Sequence, residues 1–139
     1  MPQLVFTDEM VATAAVALAL KDYGPAAWVD PRNLPTYLTD EQGLLVYAND
    51  ACEAFAGRAP APGVDLWCVT WKLYTDAGEF LPHDQCPMAV AIRERRAVRG
   101  LSAVAERPDG TRVRFRPFPT PIFASDGRLA GAVNVLAPL

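Results

Sequence analysis

The chain begins with an apolar stretch whose spacing is helical. Thr7 can cap a helix, two acidic residues follow it near the positive end, and Gly24 and Pro25 stop the pattern. So wide an apolar face must be covered, either by the chain's own domain or by a second chain. The pattern predicts an N-terminal amphipathic helix and a proline-rich linker over residues 1–33.

Shorter β-prone runs replace the helical spacing from Thr36 onward. Strands are predicted at Thr36–Thr39 and Leu44–Ala48. Asn49 is a good N-cap for a helix over Asp50–Ala56, and Gly57 ends that helix. A second helix is predicted over Pro87–Ala97, because proline is favoured in the first helical turn and the apolar positions fall at helical spacing. The Trp- and Tyr-rich segment Asp65–Leu81 follows neither period and is left unassigned.

The last 40 residues show two hairpin signals. Asp-Gly turns separate predicted strands, which are Leu101–Arg107, Thr111–Phe118, Ile122–Ala124 and Leu129–Leu136. Thr111–Arg116 alternates, with arginines on one side and Val113 and Phe115 on the other. Such alternation is typical of an antiparallel sheet with one face in the core. The chain is therefore predicted to be an α+β domain.

Composition narrows the class of protein. The 139 residues suit one domain, and a net charge of −3 argues against nucleic acid as a partner. Three separated cysteines and one histidine, His83, exclude the usual zinc sites and favour a reducing, cytoplasmic setting. The apolar run Met10–Leu20 lacks a positive flank and is too short to cross a membrane.

Four motifs in order carry a resemblance to a known family. They are LLVYANDACEAFAG at Leu44–Gly57, WKLYTDAGEFLPHDQCPMAVAI at Trp71–Ile92, RPDGT at Arg107–Thr111 and DGRLAGAVNV at Asp126–Val135. Together they resemble PAS domains, in particular a subgroup common in bacterial sensor kinases. The resemblance implies a PAS domain over residues 34–139, with a five-stranded antiparallel sheet in the order 2-1-5-4-3. Helices would cover one face, and the cavity below them would hold haem, flavin, a metabolite or nothing.

Candidate cavity residues follow from this expectation. They are Tyr37, Phe55, Trp67, Trp71, Tyr74, Met88, Ile92, Phe115 and Asn134. The alternative is that the aromatic residues simply fill the core. Haem is judged unlikely because His83 precedes the long helix, and flavin because the Asn-Cys-Arg-Phe-Leu-Gln type of motif is missing; the cofactor is otherwise unknown.

The resemblance implies a freestanding signalling module that acts through protein contacts, as a homodimer or with a signalling partner. Its interface candidates are Val11, Ala15 and Leu18 on the helix and Arg112, Arg114 and Arg116 on the outer face of a strand. The arginines are alternatively a solvated surface. A second hypothesis is a sensor that binds a small molecule in the cavity. An enzyme is not expected, because no acid, base or nucleophile pair can be placed together, and no metal site is predicted.

Overall fold

The structure, a computed structural model, describes residues 34–139. The predicted N-terminal helix and linker lie outside the described residues. The interface candidates Val11, Ala15 and Leu18 lie there too, so both expectations remain predictions.

Eight strands and two α-helices make up the described part of the chain. The strands are β1 (Thr36–Asp40), β2 (Leu45–Ala48), β3 (Lys72–Tyr74), β4 (Phe80–Leu81), β5 (Ala103–Glu106), β6 (Arg112–Pro117), β7 (Thr120–Phe123) and β8 (Leu129–Pro138). The helices are α1 (Asp50–Ala56) and α2 (Pro87–Glu94), and a 3₁₀ turn over His83–Gln85 precedes α2.

All the strands join one antiparallel sheet in the order β2-β1-β8-β6-β5-β3-β4, and β7 also pairs with β8. β6 and β7 pair with successive parts of β8 and are separated only by Phe118 and Pro119. When β6 and β7 are counted as one interrupted strand and the β3–β4 hairpin is set aside, five strands remain. In chain order β5 is the third, β6 with β7 the fourth and β8 the fifth, which confirms the predicted order 2-1-5-4-3. The β3–β4 hairpin, formed by the unassigned segment, extends the sheet beyond β5.

The helix α1 begins and ends as its sequence predicts. The Asn49 side chain accepts a hydrogen bond from the Cys52 amide, and Gly57 adopts a left-handed conformation with φ of 69°. Asn49 also joins α1 to the sheet, because its Oδ1 accepts from the Thr36 amide at 3.1 Å and its Nδ2 donates to the Leu34 carbonyl at 2.8 Å. One capping residue therefore sets the position of α1 against β1.

The helix α2 ends three residues earlier than predicted. Arg95 follows Glu94 in a left-handed conformation, with φ of 55°, and its amide donates to the Ala91 carbonyl. The prediction over Pro87–Ala97 missed this stop because glycine usually occupies such a position.

The two faces of the sheet differ. The face beneath α1 and α2 carries the larger apolar cluster, which includes Tyr37, Phe55, Met88 and Phe115. On the opposite face a smaller buried cluster around Leu38, Val133 and Val135 lies beside the charged side chains of β6. The interior between helices and sheet is the place where this architecture can form a site.

Candidate functional site

The interior contains a buried chain of hydrogen bonds. Tyr37 on β1 lies opposite Asn134 on β8, and both side chains are at most 2% exposed. Asn134 Nδ2 donates to Tyr37 Oη at 3.1 Å, and the Tyr37 hydroxyl donates to the Trp67 carbonyl at 2.7 Å. We call these three groups the interior polar chain. Asn134 Oδ1 accepts from the Phe118 amide at 3.0 Å, which also holds the break between β6 and β7 in place.

Burial raises the pKa of the Tyr37 hydroxyl well above its ordinary value. Taking a phenolate out of water is costly, and nearby Cys68 adds to the shift. Tyr37 therefore stays protonated and acts as a hydrogen-bond donor inside an apolar core.

Trp67 reaches the interior polar chain through an unfavourable backbone conformation. Its φ is 69°, and it shares a positive φ with only one other non-glycine residue among those described, Arg95. The Trp67 amide donates to the Gly43 carbonyl at 2.7 Å, and its ring lies directly over Gly43. A left-handed tryptophan costs about 1–2 kcal/mol, and such strain is concentrated at functional sites.

One thiol lies against the same carbonyl, and a second thiol and a histidine are linked to each other through the Thr70 hydroxyl. Cys86 Sγ lies 4.0 Å from the Trp67 oxygen, while the Thr70 hydroxyl donates to Cys68 Sγ at 3.3 Å and lies 3.2 Å from His83 Nε2. Burial raises the pKa of the Cys86 thiol to about 12, so that thiol is protonated and a poor nucleophile.

His83 precedes the helix α2, as its place in the sequence requires, but it is not fully exposed. His83 lies in the 3₁₀ turn and is half-buried. Burial, and secondarily the positive charge of Arg58, lowers the pKa of its imidazole. Neutral His83 therefore fits its contact with the Thr70 hydroxyl.

Apolar side chains fill the space around the polar chain. The rings of Phe55 and Phe115 meet edge to face with centroids 5.2 Å apart, and Met88 is fully buried beside them. A site of this kind has an apolar body and a few polar anchors, which is the usual composition of a small-molecule pocket. A ligand would enter here only if some of these side chains moved.

The structure brings most of the predicted cavity residues together. Those in the interior are Tyr37, Phe55, Met88, Ile92, Phe115 and Asn134, and Trp67 packs against them while partly exposed. Trp71 is 40% exposed, and Tyr74 faces the other side of the sheet, where the Arg112 guanidinium lies 4.4 Å from its ring. Trp71 and Tyr74 are thus outside the interior site.

The sequence did not predict that the backbone carbonyl of Trp67 belongs to the site. It also did not predict that Cys68, Thr70 and His83 contact one another near it. Their proximity depends on the path of an irregular loop. No hydrophobic period marks that path, and a tryptophan does not signal a positive φ.

The predicted arginine row lies on the outer face of β6, and its members are exposed. Arg112 pairs with Glu106 at 2.9 Å, and Arg114 pairs with Asp76 at 3.1 Å. Arg116 forms no salt bridge within residues 34–139.

Two negative observations apply to the described part of the chain. Across residues 34–139 no group of His, Cys, Asp and Glu side chains is arranged to hold a metal ion. In the same range no helix is long and apolar enough to cross a membrane.

The fold is shared with solved structures of one class. The sequence matches no protein-family model and no curated protein. A fungal light-oxygen-voltage photoreceptor domain is similar with a TM-score of 0.64 and 18% identity, covering 97% of this chain and 96% of that one. The PAS domain of the fruit-fly ELK potassium channel is similar with a TM-score of 0.59 and 12% identity, covering 89% and 96%. The chain has the PAS fold, in the form that light-oxygen-voltage domains also adopt.

A third similar structure corrects the cofactor prediction. It is a light-oxygen-voltage domain studied with a flavin analogue, with a TM-score of 0.57, 13% identity, and coverage of 89% of this chain and 84% of that one. The prediction that flavin is unlikely is wrong, because it rested on one missing motif whereas the fold is shared with light-oxygen-voltage domains. The polar groups that could face such a ring system are those of Tyr37 and Asn134, with Met88, Phe55 and Phe115 as apolar walls.

Proposed function

We propose that this PAS-fold domain is a sensor that binds a small molecule between the helices and the sheet, at the interior polar chain. The observation that carries this proposal is the carbonyl of Trp67, which accepts a hydrogen bond from the buried Tyr37 hydroxyl although the Trp67 backbone has an unfavourable positive φ. Burying a polar group is costly unless it is paired, so a chain of polar groups inside an otherwise apolar core calls for a role beyond packing. The same donors and acceptors suit a ligand with a polar edge and an apolar body.

Met88 is the side chain best able to make room. It is fully buried on α2, and methionine is unbranched and adapts easily to a changed cavity. A ligand that replaces the Tyr37–Trp67 hydrogen bond would also release the loop before β3. Ligand binding would thereby change the conformation of this loop, provided that the ligand binds the rearranged state more tightly.

Output through protein contacts belongs to the same proposal. The outer face of β6 and the N-terminal residues Val11, Ala15 and Leu18 are the surfaces proposed for a homodimer or a signalling partner. Arg116 supports a charged contact, because its guanidinium is exposed and has no ion-pair partner in the described range. The role is binding and signalling, without catalysis, and a cytoplasmic location remains part of the proposal.

Native mass spectrometry and an absorption spectrum test the proposal. The protein is purified without denaturation, exposed to a cell metabolite extract, and weighed before and after unfolding. We expect an added mass that is released on unfolding; yellow colour and fluorescence would identify flavin as the occupant. Tyr37→Phe and Asn134→Leu each remove a polar anchor and should lower occupancy about tenfold or more.

Cys52→Ala is the matched control. It also removes a buried hydrogen-bonding side chain of the interior cluster, since Cys52 Sγ donates to the Thr36 carbonyl at 3.2 Å, but it leaves the polar chain intact. It should retain the added mass. Apo mass in every preparation, or equal occupancy in the anchor variants and the native protein, would overturn the proposal.

A further inference from the structure

A second concave site lies at the end of α2, away from the interior polar chain. Its volume is about 420 Å³, and its lining residues are Glu41, Arg95, Arg128, Leu129 and Ala130. They come from three elements: the β1–β2 turn, the residue that ends α2, and the β7–β8 hairpin. This volume falls within the range of small-molecule sites.

Two guanidiniums line this cleft without ion-pair partners. Arg95 and Arg128 form no salt bridge within residues 34–139, although the lining carboxylate of Glu41 is nearby. By contrast, the neighbouring Arg96 pairs with Glu94 at 2.6 Å. Two cations that line one cleft and form no ion pair within residues 34–139 match an anion that carries two charges.

The backbone of Arg95 provides an independent observation. Its φ of 55° is a conformation that glycine adopts without penalty, and glycine is the common residue at the end of a helix. The presence of an arginine, rather than a glycine, at this strained position suggests a role for its guanidinium. Proximity to the negative end of α2 is the competing explanation, and it requires no ligand.

From these observations we infer that the cleft binds a small dianion, a molecule carrying a phosphate group or two carboxylates. Arg95 and Arg128 would each donate to its oxygens. Glu41 would disfavour ligands with more negative charge and would accept from any donor group that they carry. Leu129 belongs to the interior apolar cluster, so an occupied cleft would also support the start of β8.

Thermal unfolding at constant ionic strength tests this inference. Inorganic phosphate and malonate are the two probes, and chloride is the monovalent control. We expect the Tm to rise with the concentration of at least one dianion and to saturate, with no such rise in chloride. A response to phosphate alone would assign the phosphate chemistry, whereas a response to malonate as well would assign a general dianion site.

Variants separate a binding role from a structural one. Arg95→Gly removes the guanidinium and relieves the backbone strain, so the unliganded Tm should stay level or rise while dianion affinity falls about tenfold or more. Arg128→Gln should weaken binding to a similar degree, and Glu41→Gln should strengthen it. Arg96→Gln is the matched control, since Arg96 does not line the cleft, and it should bind like the native protein.

Two outcomes would overturn the inference. One is a dianion response no larger than that of chloride. The other is native affinity in both Arg95→Gly and Arg128→Gln, which would leave Arg95 with a role at the helix end only.

Discussion

At the scale of single residues, the ring of Trp67 restricts which residue can occupy position 43. Its ring lies over Gly43, which has a φ of 86°, and an added Cβ at Gly43 would meet that ring. Glycine is therefore required at position 43 for two reasons: the backbone has a positive φ, and the Trp67 ring leaves no space for a Cβ atom.

Gly43→Ala should lower the free energy of unfolding by about 2–4 kcal/mol, which combines the cost of a positive φ with overpacking. Gly78→Ala is the matched control, because Gly78 has a φ of 88° but open space around it. It should cost about 1–2 kcal/mol. Urea unfolding of both variants measures the difference, and equal losses would show that the ring contact is unimportant.

Some residues of the interior site could be predicted from the sequence, and others could not. Tyr37, Met88 and Asn134 could be named, because they occupy inward positions of elements with a clear period. The Trp67 carbonyl could not, since backbone groups carry no sequence signal and only the fold of the loop turns this one inward. Trp71 and Tyr74 were expected in the interior because they are aromatic, but this does not indicate whether a residue before a strand is buried or which face of a short strand a side chain occupies.

At the scale of elements, caps and turns were the most predictable features. Asn49, Gly57 and the two Asp-Gly hairpins act locally, so their chemistry can be recognised in a few residues. The β3–β4 hairpin could not be predicted, since β3 is only three residues long and its place depends on pairing with the distant strand β5. The end of α2 was missed because the stop is an arginine.

Asn49 is the best test of an element, because one side chain serves three backbone groups. Asn49→Ala should lower the free energy of unfolding by about 2–4 kcal/mol, from loss of the cap and of two further hydrogen bonds. Asn49→Ser keeps an acceptor oxygen for the Cys52 amide but loses the donor to Leu34, so it should cost only about 1–2 kcal/mol. Similar losses in both variants, measured by urea unfolding, would contradict the assignment of the cap.

At the scale of the whole molecule, stability should depend on pH through His83. Its pKa is lowered on folding, so the unfolded chain binds the proton more readily. The free energy of unfolding should be unaffected by this group above its ordinary pKa of 6.5 and should fall as the pH drops from there towards the folded-state pKa.

Urea unfolding across this pH range checks the expectation. His83→Gln should flatten the dependence near pH 6.5, while the decline at lower pH that arises from carboxylates remains. An unchanged slope between the native protein and the variant would show that His83 is not the group responsible.

The PAS fold by itself leaves the ligand open, because one fold supports many functions. This chain combines the interior carbonyl of Trp67, whose backbone has a positive φ, with a buried tyrosine–asparagine pair and an adaptable methionine in the same apolar cluster. These features converge on one place, between the helices and the centre of the sheet.

A crystal structure of the protein carrying its co-purified small molecule tests this claim most directly. The account predicts ligand density within hydrogen-bonding distance of Tyr37 Oη or the Asn134 amide, with Met88 displaced from its present position. Ligand density elsewhere, with Tyr37, Asn134 and Met88 packed as they are now, would contradict it.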